Sequence, residues 1–470
     1  MSDHSIGKRA RAMMLLVIVF VALMDGLDGS IVNIALPTMA ENFGTDTGTI
    51  AWVSVVYLVM LAGLLITFAR VAKNGLIKRV LVIGLILFTV SSLFCGISTS
   101  FQMILAFRLI QGIGAAMMAA AIPMVCVKYL PAENLGLGMG VLTMGAALGF
   151  ALGPAVGGII TDLVSWHWIF LINVPLGIAV IPLMLKFIPK DEGYNGKSMD
   201  FTGVVLLFSA ILCGVFALER APYSESTPLV ISAAIGCILF LAAFVVIELR
   251  KEDPLLNIRV FKHWKFDSVL MAYTASNLVY VGLLYLMPFY MSICMGFSPL
   301  ISGLLILISP LLTLLICVPV SRLSDRMGER RIFAIAACGI LTAGCIIMVL
   351  FAEKMAIIPL LATLVCMGLM WALSGGPMAS RIIENVMDES REMGSSIMTQ
   401  FIYMGGAVGT ALFAMLFTLG SRSGNVSFSD LSQDVFLDGF VFAAIVAAAI
   451  CAVTVVLSFI VREQKKVPKD

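Results

Sequence analysis

Two acidic residues in the first long apolar segment are the side chains best suited to chemistry. Asp25 and Asp28 are three positions apart in a run, from Met13 to Pro37, of mainly Leu, Val, Ile, Met, Phe and Ala. On a helix this spacing places both carboxylates on one face. A charged carboxylate near a bilayer centre costs about 2.5–3.5 kcal/mol, and two close carboxylates repel each other, so at least one should keep its proton. We therefore predict that this pair carries protons.

A buried cation is the natural counterpart of these acids. Arg108 lies within another apolar segment, and because its guanidinium is always charged, it must face the protein interior or water and needs an anion. We expect Asp25 or Asp28 to be that anion, so that protonation weakens the pair and couples proton movement to helix movement. A static ion pair joining two helices is the alternative. Gln111 extends this hydrogen-bond network or contacts a neighbouring helix.

The composition indicates an all-α polytopic membrane protein. The chain has 470 residues, of which 60% are hydrophobic and 12% charged, with a net charge of +2 and a mean hydropathy of +1.06. So little charge does not cover a soluble surface of this size. The near-neutral charge gives no nucleic-acid signal. Ten cysteines without a CxxC pair, and three scattered histidines, predict no metal or other cofactor. No nucleophile–base pair or phosphate-binding loop indicates an enzyme.

Fourteen apolar runs have about the length needed to span a bilayer. They are 13–37, 49–71, 79–98, 102–125, 136–161, 167–188, 201–219, 227–249, 267–292, 299–320, 331–351, 355–380, 392–418 and 437–461. If the chain starts inside, 26 of the 30 lysines and arginines fall in inner segments and three in outer ones. This bias predicts that both termini are cytoplasmic and that the protein is located in the cell membrane.

Four motifs follow one another in the order of a known family. They are Asp28-Gly-Ser-Ile-Val-Asn-Ile-Ala-Leu-Pro37, Arg108-Leu-Ile-Gln-Gly112, Gly153-Pro-Ala-Val-Gly-Gly158 and Trp166-His-Trp-Ile-Phe-Leu-Ile-Asn-Val-Pro175. Together they resemble the major facilitator superfamily, specifically its fourteen-helix drug:proton antiporter branch. The expected architecture has six, two and six helices: an N-terminal bundle (1–188), two extra linker helices (189–266) and a C-terminal bundle (267–470). The halves should surround a cavity at the bilayer midplane.

The fifth apolar run carries a stripe of small residues. The family's antiporter motif corresponds to Gly149, Gly153, Pro154, Gly157 and Gly158. Glycines four residues apart allow close helix packing, and the proline permits a kink. Tight packing alone would use the same residues, so this motif predicts architecture more than mechanism.

Two loops correspond to the family's cytoplasmic gate. Segment 321–331 is similar to the gate motif, with Ser321 where Gly is usual, which implies a latch formed by Asp325 with Arg326 and Arg330. A simple positive-inside turn is the alternative. Segment 69–79 departs from the motif, because Lys73 stands where the family has Asp.

Polar and aromatic residues in apolar helices are candidates for the substrate cavity. We name Trp52, Tyr57, Gln111, Asn277, Tyr280, Tyr285, Trp371, Gln400 and Tyr403. Aromatic side chains suit amphiphilic cations, although packing and interfacial anchoring are alternatives for each. After Glu392, run 392–418 contains no acid, unlike some relatives. Three acids near helix ends are expected to be solvated: Asp162, Glu219 and Glu248.

These features favour a proton-coupled exporter of small amphiphilic or cationic compounds, of the multidrug-efflux type. A dedicated transporter of a metabolite, lipid or organic anion on the same scaffold is the alternative. A non-transporting sensor or scaffold is a third reading, although such proteins usually carry a soluble domain. The expected partners are a small-molecule substrate, protons and the lipid bilayer, with no nucleic acid, and we expect a monomer.

Overall fold

The computed structural model describes residues 8–130, 132–191, 193, 200–223, 227–251, 254–256, 258, 261, 264–327, 330–384, 391–422 and 430–460. The regular structure of these residues is helical, with no strand among them. The helices are α1 (Lys8–Phe43), α2 (Thr47–Ile50), α3 (Trp52–Val71), α4 (Ile77–Gly96), α5 (Phe101–Tyr129), α6 (Ala132–Leu163), α7 (Trp168–Leu171), α8 (Asn173–Phe187), α9 (Phe201–Arg220), α10 (Thr227–Arg250), α11 (Trp264–Ile293), α12 (Pro299–Ile306), α13 (Ile308–Met327), α14 (Arg330–Phe351), α15 (Ile357–Glu384), α16 (Arg391–Ser421) and α17 (Gln433–Ile460).

Within this part of the chain, thirteen apolar helical stretches are long enough to cross a membrane. One of them, Thr47–Gly96, is 50 residues long and is interrupted between α3 and α4. Asn74 and Gly75 leave helical geometry there, and Gly75 has a φ of 103°, which favours glycine. The helices on either side have 20 residues each and both pack on α5. The expected all-helical membrane fold is therefore confirmed.

Helix ends differ from the apolar runs where polar residues or prolines intervene. α1 begins at Lys8 and ends at Phe43, beyond both ends of run 13–37. At its C-terminal side the helix continues past Pro37, which removes one backbone donor without ending the helix. At the start of α5, by contrast, the Ser100 hydroxyl accepts a hydrogen bond from the Met103 backbone nitrogen at 3.2 Å. This is an N-cap, and the helix starts close to its predicted position.

The packing of the helices places α1 at the centre of the first group. α1 packs on α6 along most of its length and also contacts α5, α8 and α11. In the later part of the chain, α11 packs on α16, α14 on α15 and α17, and α13 on α15. α9 and α10 pack on each other, and α9 also contacts α3 and α16. The helix pair α9–α10 therefore touches helices from both ends of the chain.

The outer surface of the bundle is apolar. Large apolar side chains such as Ile358, Leu163 and Ile238 are at least two-thirds exposed. In α10, only 11% of the most apolar stretch of the helix is buried. So extensive an apolar surface is unfavourable in water but suits contact with lipid chains.

The two ends of the bundle differ in charge. We call the end at which α1 begins and α3 finishes the basic end, because the segments there carry most of the lysines and arginines. The end at which α1 finishes and α3 begins is called the opposite end.

Candidate functional site

Asp28 on α1 and Arg108 on α5 form a buried ion pair. The Arg108 Nη1 atom lies 2.7 Å from Oδ2 of Asp28, and neither side chain is more than 1% exposed. Arg108 Nε also donates to the backbone carbonyl of Val53 at 2.9 Å. The guanidinium lies over the Tyr57 ring, 4.1 Å from its centroid. The two opposite charges therefore compensate each other and are held by three helices.

Side-chain amides complete the hydrogen bonding of Asp28. Gln111 Nε2 donates to Asp28 Oδ1 at 2.9 Å and to Ser92 Oγ at 2.8 Å, while its Oε1 accepts from Arg108 at 2.8 Å. Asn173 Nδ2 donates to the same Asp28 oxygen at 3.3 Å. Sequence reasoning missed Asn173 as a site residue, although an amide in an apolar segment is a signal that could have found it. The network joins α1, α4, α5 and α8.

Asp25, one turn nearer the basic end, has different surroundings. Its Oδ2 accepts a hydrogen bond from the Tyr403 hydroxyl of α16 at 2.9 Å. Its Oδ1 is buried and has no hydrogen-bond partner in the described part of the chain. The described residues offer Asp25 no cation. The residue is partly exposed, whereas Asp28 is fully buried. Asp25 is therefore the acid without charge compensation, and its hydrogen bond joins α1 to α16.

Open space borders the face of α1 that carries Asp25. Gly29 lies four residues further along and so on the same face, and a Cβ added to it would meet no heavy atom within 4 Å. By contrast, a Cβ at Gly26 would lie 3.0 Å from the backbone nitrogen of Phe150 on α6. The face of α1 that carries Asp25 is therefore loosely packed at Gly29, whereas the face that carries Gly26 is tightly packed.

Tyr280 and Trp371 belong to one aromatic group. Their rings pack edge to face, with centroids 5.6 Å apart, and Tyr273 approaches Trp371 in the same way at 5.8 Å. Phe150 of α6 lies 6.5 Å from the Tyr280 ring, and the Tyr280 hydroxyl is 3.4 Å from Ser309 Oγ. Trp371 is partly exposed while Tyr280 is buried. Trp371 is therefore the member of this group that keeps some exposure.

Two of the predicted cavity amides bind backbone carbonyls. Gln400 Nε2 on α16 donates to the carbonyl of Ala62 on α3, and Asn277 Nδ2 on α11 donates to the carbonyl of Ile402 at 2.7 Å. Both residues are at least 96% buried. In this conformation these amides join helices.

Tyr285 and Trp52 lie at the opposite end, away from the acid pair. The Tyr285 hydroxyl of α11 donates to the carbonyl of Thr47. The Trp52 ring packs against Phe216 of α9, with centroids 6.3 Å apart. The predicted cavity residues are therefore spread over several places and do not form a single cluster.

The glycine stripe of α6 faces α1. The residues concerned are Gly145, Gly149, Gly153 and Gly157. A Cβ at Gly149 would lie 2.7 Å from the backbone nitrogen of Leu27, and one at Gly157 would lie 2.6 Å from Ile34 Cγ2. Side chains larger than hydrogen would therefore push the two helices apart.

The end of the same motif faces another helix. A Cβ at Gly158 would lie 3.2 Å from the Cα of Gly303 on α12, and a Cβ at Gly303 would in turn meet the backbone of Pro154. The motif thus makes close contacts with α1 through Gly149, Gly153 and Gly157, and with α12 through Pro154 and Gly158.

The gate segments lie at the basic end. Arg326 is an exposed residue of α13, whereas the side chains of Asp325 and Arg330 lie outside the described residues. In segment 69–79, Lys73 is exposed. Asp191 accepts hydrogen bonds from the backbone nitrogens of Lys78 (2.8 Å) and Arg79 (3.1 Å). A carboxylate from the segment after α8 therefore caps the start of α4.

Of the three acids expected to be solvated, only Asp162 is exposed. The expectation is wrong for Glu219 and Glu248, each of which is 2% exposed. Both lie on the helix pair α9–α10, whose mutual packing and contacts with α3 and α16 cover helix ends that length alone places near water. Among the described residues, no three His, Cys, Asp or Glu side chains are grouped so as to hold a metal ion.

Comparisons with known proteins agree with the geometry. The sequence profile of the Major Facilitator Superfamily matches residues 18–410. Riboflavin transporter RibZ of Clostridioides difficile is 27% identical over 456 residues, which cover 96% of this chain and 98% of RibZ. Multidrug resistance protein B homolog of Mycobacterium tuberculosis is 26% identical over 407 residues, covering 86% and 75% of the two chains. A solved structure of a bacterial homologue of the human lysosomal transporter Spinster, inward-facing and unoccupied, has a TM-score of 0.67 at 14% identity and 97% coverage of each chain, which is a likeness of fold.

Proposed function

Because this chain belongs to the Major Facilitator Superfamily of membrane transporters, we propose that it is a proton-coupled exporter of small amphiphilic or cationic compounds. It is a multi-pass cell membrane protein and not an enzyme. The name of the Mycobacterium tuberculosis relative supports drug efflux.

The proposed topology has fourteen crossings. Counting α3 and α4 as separate crossings turns the thirteen apolar stretches into fourteen. The positive-inside bias supports a cytoplasmic location for the basic end. The proposed domains are 1–188, the linker helices within 189–266, and 267–470, acting as a monomer. Asp325, Arg326 and Arg330 are proposed to latch the cytoplasmic face.

One observation carries the proposed mechanism: Asp25 has no cation in contact with it in the described structure, yet it lies beside open space and bonds Tyr403 of the other half. A carboxylate so placed can hold either a proton or a cationic substrate, but not both. Proton binding also removes charge from an acceptor of the Tyr403 hydroxyl, which weakens a bond between the halves. Exchange of ligand and movement of the halves are coupled in this way.

Asp28 and Arg108 have a different proposed role. Their charges cancel and their donors and acceptors are satisfied, so this pair holds α1 against α5 and lies close enough to sense the charge on Asp25. Protonation of Asp28 would leave the buried guanidinium without a counter-charge, which is unfavourable. The pair therefore breaks only when the helix packing around it changes.

The test is transport into vesicles with an imposed pH gradient. Ethidium is the cationic probe, and its movement and the proton flux are followed by fluorescence in reconstituted vesicles. Asp25→Asn is expected to lose at least about tenfold of the gradient-driven ethidium transport, whereas the control Asp162→Asn, an exposed acid of α6, keeps it. Full transport by Asp25→Asn would remove Asp25 from the mechanism.

A second candidate is a transporter of one neutral, planar metabolite. Its support is the RibZ relative and the partly exposed Trp371 indole, on which a flat ring can stack. The same vesicles decide between the two. Riboflavin flux without ethidium flux would favour this candidate, and competition among unrelated cations would favour the exporter.

A further inference from the structure

A further buried acid lies away from the Asp25 site, on the helix pair α9–α10. Glu219 of α9 is 2% exposed, and both of its carboxylate oxygens lack a hydrogen-bond partner in the described part of the chain. Its one ion-pair contact there is Arg220 Nε, 3.2 Å from Oε2, and the Arg220 side chain is 37% exposed. A charged carboxylate buried with so little hydrogen bonding is unfavourable.

The surroundings of Glu219 connect both halves of the protein. Trp52 of α3 packs on Phe216, which lies one turn before Glu219 on α9, and its buried indole N–H approaches the Glu219 carboxylate without reaching hydrogen-bond geometry in the described structure. α9 also contacts α16. Glu219 is therefore located where the extra helix pair meets the first half and the second half.

Next to this site the opposite end is closed. The turn around α2 is contacted from three sides. Tyr223, just after α9, donates to Asp46 Oδ1 at 2.8 Å, and Tyr285 of α11 donates to the carbonyl of Thr47. A Cβ at Gly48 would lie 2.8 Å from the Tyr223 hydroxyl and 3.2 Å from Thr418 Oγ1 of α16. Movement of the halves apart at this end must break these contacts.

The charges at this closure are not balanced. The groups that face Glu219 are Asp46 from the turn after α1, Arg220 and Tyr223 from the end of α9, and Tyr285 from α11. They comprise one further carboxylate, one partly exposed cation and two neutral phenols. An ionised Glu219 would be repelled by Asp46 and would need water, which only an opened end supplies.

We propose that Glu219 is a second proton-binding site and that its protonation stabilises closure of the opposite end. The neutral acid can stay buried against Trp52, while the ionised acid favours the open, hydrated end. The extra helix pair thereby gives the opposite end its own response to the pH of the solution that bathes it. The inference rests on the proposed function, in which the halves move relative to each other, but it does not depend on Asp25.

The experiment measures the opening of this end directly. Spin labels are placed at Leu163 of α6 and Asp434 of α17, both exposed at the opposite end, in the full chain with its native cysteines replaced. Electron–electron resonance then gives the distance between the labels as a function of pH. In the parent the distance should lengthen as pH rises, and Glu219→Gln should keep the short distance at every pH.

Two further variants make the outcome decisive. Arg220→Gln removes the cation that contacts Glu219 in the described structure and should move the midpoint upward by about one pH unit; it decides the question alone if Glu219→Gln does not fold. Asp25→Asn should change the distance at a given pH, because it alters the bond to Tyr403, but the distance should still lengthen as pH rises, because Glu219 is intact; this separates the site from the proposed transport site. An unchanged pH response in Glu219→Gln or in Arg220→Gln, its loss in Asp25→Asn, or a parent distance that ignores pH would each overturn the inference.

Discussion

Asp28 and Arg108 form an ion pair of 2.7 Å between Oδ2 and Nη1 that is excluded from solvent, while Asp25, three residues away on the same helix, has only a phenol as its hydrogen-bond partner in the described structure. Of the two carboxylates of α1, that of Asp28 is thus compensated in charge and that of Asp25 is not. This difference separates a group that holds helices together from one that exchanges ligands.

The first prediction concerns removal of the buried cation. Arg108→Gln leaves the Asp28 carboxylate buried without a counter-charge, and an uncompensated buried charge costs about 3–5 kcal/mol. We expect a markedly lower unfolding temperature for the purified protein in detergent. The double variant Asp28→Asn with Arg108→Gln should recover part of the loss, because it removes both charges.

The matched control for this experiment is Arg9→Gln. Arg9 is exposed on α1, so losing its charge should leave the free energy of unfolding within about 0.5 kcal/mol of that of the parent. An Arg108→Gln protein as stable as this control would show that the ion pair does not stabilise the fold.

Some of this site could be predicted from sequence because the constraint is chemical. A guanidinium in an apolar helix must find an anion, and the two acids of α1 were the natural candidates within the first bundle. Apolar runs also predicted the spanning helices, since helix length and bilayer thickness constrain each other. Neither inference needs knowledge of which helices are neighbours.

The remaining features depend on packing, which local sequence does not specify. Asn173 reaches Asp28 only because α8 packs against α1. Glu219 was expected in water because it is near the end of an apolar run, yet contacts of α9 with α3 and α16 bury it. The choice between Asp25 and Asp28 as the partner of Arg108 likewise depended on the rotation of α1.

The second prediction tests the hydrogen bond between Asp25 and Tyr403. Tyr403→Phe removes the phenolic donor and leaves the Asp25 carboxylate without its described partner. Loss of a hydrogen bond to a charged group costs about 1.5–3 kcal/mol, so gradient-driven ethidium transport should fall by about tenfold or more. The measurement is the initial transport rate in reconstituted vesicles.

A second tyrosine provides the control for this change. Tyr290 is buried whereas Tyr403 is partly exposed, and the Tyr290 hydroxyl donates to the carbonyl of Ala352 at 2.9 Å, with no acid involved. Tyr290→Phe should therefore lose some stability and little transport. Equal transport losses in the two variants would mean that the Tyr403 hydroxyl acts only through folding.

The third prediction concerns an ionic clamp at the basic end of the helix pair α9–α10. Lys251 donates to Asp200 and, at 3.2 Å, to Glu248, and Asp200 also accepts from the Gly203 backbone nitrogen at 2.8 Å. Burial raises the pKa of Asp200, but its hydrogen bonds with Glu248, Lys251 and Gly203 outweigh burial and lower that pKa below its ordinary value. Burial lowers the pKa of Lys251, and its two acidic partners more than reverse this, so that it is raised.

The sign of the pH effect follows from these two directions. A depressed acid pKa contributes stability that is complete above its ordinary pKa of about 3.9 and is lost as pH falls through the folded value. A raised lysine pKa contributes stability below about pH 10.4 that is lost as pH rises through the folded value. Asp200→Asn should thus lower the melting temperature by about 1–3 °C near neutral pH, and the difference should shrink below about pH 4. A difference that stays constant from pH 3 to pH 7 would contradict the clamp.

The last prediction uses two glycines of the same helix, α6. A Cβ at Gly149 would lie 2.7 Å from the backbone nitrogen of Leu27 on α1, whereas a Cβ at Gly140 would meet no atom within 4 Å. Gly149→Ala must separate two backbones and should destabilise the protein by about 1–3 kcal/mol. Gly140→Ala meets no such obstacle and should stabilise it by up to about 1 kcal/mol, because alanine loses less backbone entropy in a helix. Thermal unfolding of both variants measures the two signs, and a Gly149→Ala protein as stable as Gly140→Ala would rule out close contact between α1 and α6 at this level.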